Sequence, residues 1–194
     1  EHFFDGYKED SKTSLEILDS VIQSGVDCFI FCDTNGGTLP DEVHMILSEV
    51  LNQYPESKFG VHFQNDNGCA VANSMVAVEL GVDHVQGTIN GYGERTGNAD
   101  LCTLIPNLSL KKTYETISED SLSKLTQIAN HIAELVNVAI DSRHPYVGSS
   151  AFTHKAGLHA SGMAKDNVLY EHIDSSKVGN FTRTTVSELA GRAS

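Results

Sequence analysis

Basic side chains are scarce in this sequence. Thirteen Lys and Arg stand against 26 Asp and Glu, a formal net charge of −13 over 194 residues. Binding to nucleic-acid phosphates needs clustered Lys and Arg, so a nucleic-acid partner is not expected. The acidity itself reads as a solubility device. Long apolar runs are also missing. None approaches the roughly 18 residues of a membrane span, and no charged segment leads into an apolar one as in a secretory signal. Cysteine is limited to Cys28, Cys32, Cys69 and Cys102, without zinc-knuckle spacing. Cys28 and Cys32 lie within one strand-like run, poor geometry for a disulfide, so reduced, buried thiols in a cytoplasmic protein are expected. Low-complexity tracts are absent.

What is present is an alternation. "DSKTSLEILDSVIQSG" places Leu15, Leu18, Val21 and Ile22 on one helical stripe, with Ser11 as cap and Gly25 as stop. "VDCFIF" then reads as a strand buried on both faces. "DTNGGTLP" is a turn in which Thr38 caps a second helix, with Pro40 in its first turn and Val43, Ile46, Leu47, Val50 and Leu51 facing inward. "KFGVHF" is the next strand and "CAVANSMVAVELG" the next helix. "VDHVQGTI" is a third strand, followed by the loop "NGYGERTGN" and a helix through Leu101 and Leu104. Strand, loop and helix thus recur about every thirty residues, which argues for parallel strands with crossover helices. A small open sheet and part of a (β/α)8 barrel both fit, since a whole barrel takes about 250 residues.

From about Thr116 the pattern changes. "ISEDSLSKLTQIANHIAELVNV" reads as one long amphipathic helix with Leu122, Leu125, Ala129, Ile132 and Val136 aligned. The Gly-, Ser- and His-rich stretch after it reads as a linker into a small, mostly helical subdomain. The boundary falls near Asn137 to His144, giving regions 1–138 and 139–194.

Loops at the carboxyl ends of parallel strands hold ligands, and polar clusters fall there three times. "CDTNGG" brings Asp33 and Thr34; the second strand ends in His62, Gln64, Asn65 and Asp66; the third loop carries Glu94, Arg95 and Asn98. His62 and Gln64 are two apart on a strand and share a face. They read either as ligands of one ion or as a hydrogen-bonded core histidine with its partner. The glycines of "NGYGERTGN" miss the dinucleotide register; they let the backbone approach a ligand while Asn98 and Glu94 point inward. "AFTHKAGLHASG" adds His154 and His159, either a general base or a helix-start histidine.

Taken together and in this order, "CDTNGGTLP", "GVHFQND", "GTINGYGERTGNADL" and "AFTHKAGLHASG…YEHID" closely resemble the acyl-CoA condensing enzymes of the isopropylmalate synthase and homocitrate synthase family, and most of all its citramalate synthase branch. The resemblance covers essentially the whole chain. It implies an α/β fold: the C-terminal part of a (β/α)8 TIM barrel, strands 6–8 with their helices, over residues 1–138, then a mostly helical linker subdomain over 139–194. The segment from the family's first strand, which supplies an arginine, a metal-ligand aspartate and an acid, would lie outside this chain. The implied reaction is a Claisen-type condensation of acetyl-CoA with a 2-oxo acid, pyruvate for this branch, followed by thioester hydrolysis. A divalent cation (Mn, Zn, Mg or Co) would be held by His62, by Asn98, and by Gln64 standing where the family has a second histidine. Thr34 would bind the oxo-acid carboxylate. Glu1 would organise catalysis, His159 would act as base, and Tyr170 would stand near it. The resemblance further implies a homodimer in the full-length protein.

Overall fold

Three short apolar runs become three parallel strands, β1 (Phe29–Asp33), β2 (Phe59–Phe63) and β3 (His84–Gln86), adjacent in chain order. The computed structural model describes residues 1–154 and 170–184. Within them the chain forms two compact units, Glu1–Leu104 and Ile105–Ser194.

In the first unit the strand period of two divides the sheet into unlike faces. One face carries Phe29, Phe31, Phe59, Val61 and Phe63, all buried. The Phe31 and Phe59 rings stack with centroids 5.1 Å apart, and Phe4 packs on Phe63 at 5.2 Å. Removing this apolar surface from water drives the helices onto the sheet, at roughly 25 cal/mol for each Å² buried. The other face is built in rows fixed by the register. Ile30, Gly60 and His84 form one row; Cys32, His62 and Gln86 form the next. Gly60 gives the row its close packing, because a Cβ would lie 2.4 Å from Ile30 Cδ1 and 3.0 Å from the His84 carbonyl oxygen. The expectation of a first strand buried on both faces is therefore corrected. Ile30 and Cys32 are only partly buried, and the strand starts at Phe29, with Val26 exposed ahead of it.

The helices follow the sequence pattern with three differences. A first helix, α1 (Phe3–Glu9), precedes the expected one and packs Phe4 and Tyr7 inward. The cap of α2 (Ser11–Ile22) is Asp10 rather than Ser11; its carboxylate accepts the Thr13 backbone N–H at 3.1 Å and the Thr13 hydroxyl at 2.7 Å. Of the α2 stripe Leu18 is buried while Val21 stays exposed. In α3 (Pro40–Gln53) the N-cap position is Leu39, not Thr38. Thr38 is fully buried, and its hydroxyl and backbone N–H both donate to the Asp33 carboxylate, at 2.8 and 3.2 Å. The first turn of α3 is held instead by Glu42, whose carboxylate accepts the Leu39 N–H at 2.7 Å. Val43, Ile46, Leu47 and Val50 are fully buried as expected. α4 (Ala70–Glu79) stops before Gly81, whose φ of +102° suits glycine, and α5 (Leu101–Pro106) follows the third loop.

In the second unit the expected long helix is two. α6 (Glu119–Leu122) is capped by Ser118, whose hydroxyl accepts the Ser121 N–H, and α7 (Leu125–Val136) begins after a break at Ser123 and Lys124. The apolar stripe runs through the break: Leu122, Leu125 and Ala129 are buried on both sides of it, although Val136 is exposed. Asn137, at φ +55°, ends α7 in the left-handed region. Beyond it the described residues hold no α-helix. β4 (Thr153–His154) pairs in parallel with β5 (Arg183–Thr184), and a 3-10 turn covers Ser175–Val178. The buried Asn180 ties this region together by donating to the Tyr146 and Gly148 carbonyl oxygens at 2.9 and 3.0 Å. All four cysteines are free, and only Cys102 is buried, its thiol pushed up to about 12 chiefly by that burial.

Candidate functional site

The carboxyl ends of β1, β2 and β3 bring three polar loops to one rim. After β1, Thr34 accepts the His2 backbone N–H on its hydroxyl oxygen at 2.7 Å, which leaves its own O–H proton to donate. That bond also puts Glu1, adjacent to His2, beside the β1 loop. Burial raises the pKa of the Cys32 thiol here, aided by the Glu1 charge.

On β2, His62 lies beside Gln86 of β3, and its Nδ1 is 3.1 Å from Gln86 Oε1. With Nδ1–H donating to that oxygen, Nε2 carries the lone pair a cation needs, the arrangement by which second-shell partners fix a ligand tautomer. One residue past β2, Gln64 forms an isolated antiparallel bridge with Asn98. The third loop is folded around Asn98: its N–H donates to the Gly91 carbonyl oxygen at 3.0 Å, and its Nδ2 donates to the Tyr92 carbonyl oxygen at 3.0 Å. Gly93 leaves room for that amide, since a Cβ would fall 2.3 Å from Nδ2.

At this rim Gln64 Oε1 and Asn98 Oδ1 are buried without a hydrogen-bond partner, two of five such side-chain atoms among the described residues. The Asn98 assignment is unambiguous, because the other end of its amide donates to a carbonyl. A buried acceptor left unsatisfied costs about 1–3 kcal/mol, which a cation or water would relieve. An imidazole with amide oxygens on bridged residues is a donor set that suits a divalent cation. No group of three His, Cys, Asp or Glu side chains is poised for a metal among the described residues. The candidate set is one imidazole and two amides.

The structure thus brings Glu1, Thr34, His62, Gln64 and Asn98 to the ends of neighbouring strands. Tyr170 lies in the second unit, 38% exposed. His159 lies outside the described residues. Glu94 corrects an expectation: its side chain is 85% exposed instead of pointing inward. Sequence reading missed Gln86, which only the β2–β3 register places next to His62. It also left Arg95 and Asp66 as separate loop charges, whereas they form a two-pronged ion pair at 2.8 and 2.9 Å. That contact lowers the Asp66 pKa.

The role of Gln86 is testable. Gln86→Leu should weaken manganese binding by roughly 10–100-fold, the usual cost of losing an outer-shell partner. Chelator competition would measure it, and an unchanged affinity would show that the contact does not orient His62.

Comparison with known proteins assigns this architecture. The HMGL-like family model matches residues 4–132, two-thirds of the chain. The chain belongs to the HMGL-like family. A second model, homocitrate synthase post-HMGL domain-like, matches residues 146–194. Among curated HMGL-like relatives, the (R)-citramalate synthase of Aquifex aeolicus is 49% identical over 193 residues, covering 100% of this chain and 37% of its own. Four further (R)-citramalate synthases are 46–48% identical. A protein of Methanopyrus kandleri described as probable 2-isopropylmalate synthase is 34% identical, over 97% of this chain and 37% of its own. The chain therefore spans little more than a third of the length of the curated relatives it matches. In structure it resembles an HMG-CoA lyase from Acinetobacter baumannii solved with coenzyme A and 3-methylmalate, with TM-score 0.57 and 23% identity over 65% of this chain and 42% of that one. This supports the HMGL-like TIM-barrel fold for the mixed α/β first unit.

Proposed function

We propose that this chain is part of a citramalate synthase, which condenses acetyl-CoA with pyruvate and hydrolyses the thioester to (R)-citramalate and CoA in branched-chain amino-acid biosynthesis. In this reading β1, β2 and β3 are strands 6–8 of a (β/α)8 barrel. Residues 1–138 are the partial barrel and 139–194 the linker subdomain of a cytoplasmic homodimer. The observation that carries the reading is the donor set His62, Gln64 Oε1 and Asn98 Oδ1 at the ends of parallel strands, two of its oxygens buried without partners. The choice of pyruvate rests on the identity difference between the citramalate synthases and the more distant isopropylmalate synthases. The homocitrate synthase post-HMGL match over 146–194 favours a synthase over a lyase on the same barrel.

Each residue then has a task. His62, Gln64 and Asn98 would hold the divalent cation, which would supply Lewis-acid polarisation of the pyruvate ketone. The Thr34 O–H donates to that carboxylate. His159 takes a proton from the acetyl-CoA methyl group, Tyr170 stands near that base, and Glu1 helps organise catalysis. The enolate carbon attacks the ketone carbon, one C–C bond forms, and the former ketone oxygen takes up a proton. Water then cleaves the thioester and releases the CoA thiol.

The test is acetyl-CoA-dependent thiol release by the full-length protein with pyruvate, 2-oxoisovalerate and 2-oxoglutarate in parallel, after chelation and with manganese restored. Metal-dependent turnover favouring pyruvate is the expected result. Preference for another oxo acid would keep the chemistry and change the product, and no turnover with any of the three would overturn the reading.

A further inference from the structure

We infer that Arg95 is a positioning residue that locks the three site loops to one another and so sets the spacing of Thr34, Gln64 and Asn98. Its side chain reaches both other loops at once. Nε and Nη2 donate to the two Asp66 carboxylate oxygens at 2.8 and 2.9 Å, and Nη2 also donates to the Thr34 backbone oxygen at 2.8 Å. Each contact falls on or near a site residue. Thr34 carries the clamped carbonyl and the proposed substrate hydroxyl on one residue. Asp66 is two positions beyond Gln64, and Asn98 is three beyond Arg95 itself.

Backbone bonds run along the same seam. The Asn67 N–H donates to the Gly36 carbonyl oxygen at 3.1 Å, and the Asn65 N–H to the Gly97 carbonyl oxygen at 2.9 Å. The seam has no slack. Gly36 adopts φ +67°, and a Cβ there would lie 2.2 Å from Asp66 Oδ2. Arg95 itself takes φ +53°, a left-handed conformation uncommon for a side-chain-bearing residue. Such backbone persists where surrounding contacts over-determine it, and this one aims the guanidinium back across the rim.

The geometry demands arginine. Only a planar fork meets both carboxylate oxygens while a further N–H reaches a carbonyl; an ammonium presents no such fork. The Arg95 and Asp66 side chains are 44% and 25% exposed, so the pair adds little to overall stability. Its consequence is positional. With both Asp66 oxygens engaged, the cation is already matched by a carboxylate, which argues against Arg95 as the direct anchor of an anionic substrate.

The clamp deepens the functional reading above and depends on it only for the activity measurements. The experiment uses the full-length protein carrying Arg95→Lys, Asp66→Asn, or both. Backbone amide exchange is followed by mass spectrometry over 33–38, 64–68 and 90–98, and kcat and KM for pyruvate are measured beside it. Exchange should speed up in all three segments in every variant, while β2 and α3 stay protected. kcat/KM should fall by about tenfold or more, since a misplacement of about 1 Å can cost roughly 100-fold. The double variant should be no worse than the poorer single one, as expected for two residues acting as one unit. Faster exchange confined to 90–98, or losses that multiply in the double variant, would overturn the clamp. A large rise in KM for Arg95→Lys alone, with exchange unchanged, would make Arg95 a substrate contact and overturn it as well. If the protein turned over none of the oxo acids, the exchange data would still decide the clamp while the functional reading failed separately.

Discussion

His62→Ala in the full-length protein is expected to abolish tight metal retention, weakening manganese binding by more than about 100-fold, beyond the roughly 10–100-fold of an outer-shell loss. In the proposed site the other two protein ligands are neutral amide oxygens, weaker donors than an imidazole. His62 therefore supplies a large share of the affinity, and its removal leaves Gln64 and Asn98 without their strongest neighbour. Its ring is only partly buried and hydrogen-bonds to an exposed Gln86, so the fold should tolerate the change. Chelator competition monitored alongside thermal unfolding would separate the two effects. A large loss of metal with little change in Tm is expected. Undiminished metal content would return His62 to the role of a hydrogen-bonded strand histidine. Gln64→His supplies the opposite sign: a second imidazole should tighten binding and shift preference toward zinc.

The largest effect on stability is expected from Gly97→Ala. Gly97 has φ +91°, and a Cβ on it would lie 1.9 Å from the Gly91 carbonyl oxygen, a backbone atom that cannot swing aside. That oxygen accepts the Asn98 N–H, and the Gly97 carbonyl accepts the Asn65 N–H, so any shift breaks bonds in two loops together. Left-handed backbone costs a side-chain-bearing residue about 1–2 kcal/mol, and overpacking typically adds about 1–3 kcal/mol. A loss of about 2–5 kcal/mol in a denaturant titration is expected, with Asn98 displaced and metal binding impaired. Gly37→Ala is the control, because nothing lies within 4 Å of its Cβ position. A neutral result at Gly97 equal to that at Gly37 would contradict the packing described for this loop.

The contrast between what the sequence revealed and what it hid has a physical pattern. β2 and α3 were legible because burial imposes a period on apolar residues, and that period is visible in one dimension. Periodicity reports burial, however, and not backbone continuity. The stripe through Leu122, Leu125 and Ala129 therefore read as one helix across a real break. Caps were misread where two capable residues compete. Asp10 outcompetes Ser11, and Thr38 is unavailable because the buried Asp33 carboxylate takes its hydroxyl and its N–H. The same logic governs the site. His62 and Gln64 announce themselves by sharing a strand face, whereas Gln86 becomes their neighbour only through the β2–β3 register, and the pairing of Arg95 with Asp66 spans 29 residues of chain.

The register also bears on the order in which the molecule assembles. Phe29 pairs with Phe59 and Gly60 with His84, separations of 30 and 24 residues. The entropic difference between closing two loops of those lengths is only about 0.2 kcal/mol, so neither pairing has a head start from chain length. What distinguishes them is time. Synthesis delivers roughly 5–20 residues per second, which separates the arrival of successive strands by seconds. The strands therefore become available for pairing in the order β1, β2, β3, which is also their order across the sheet.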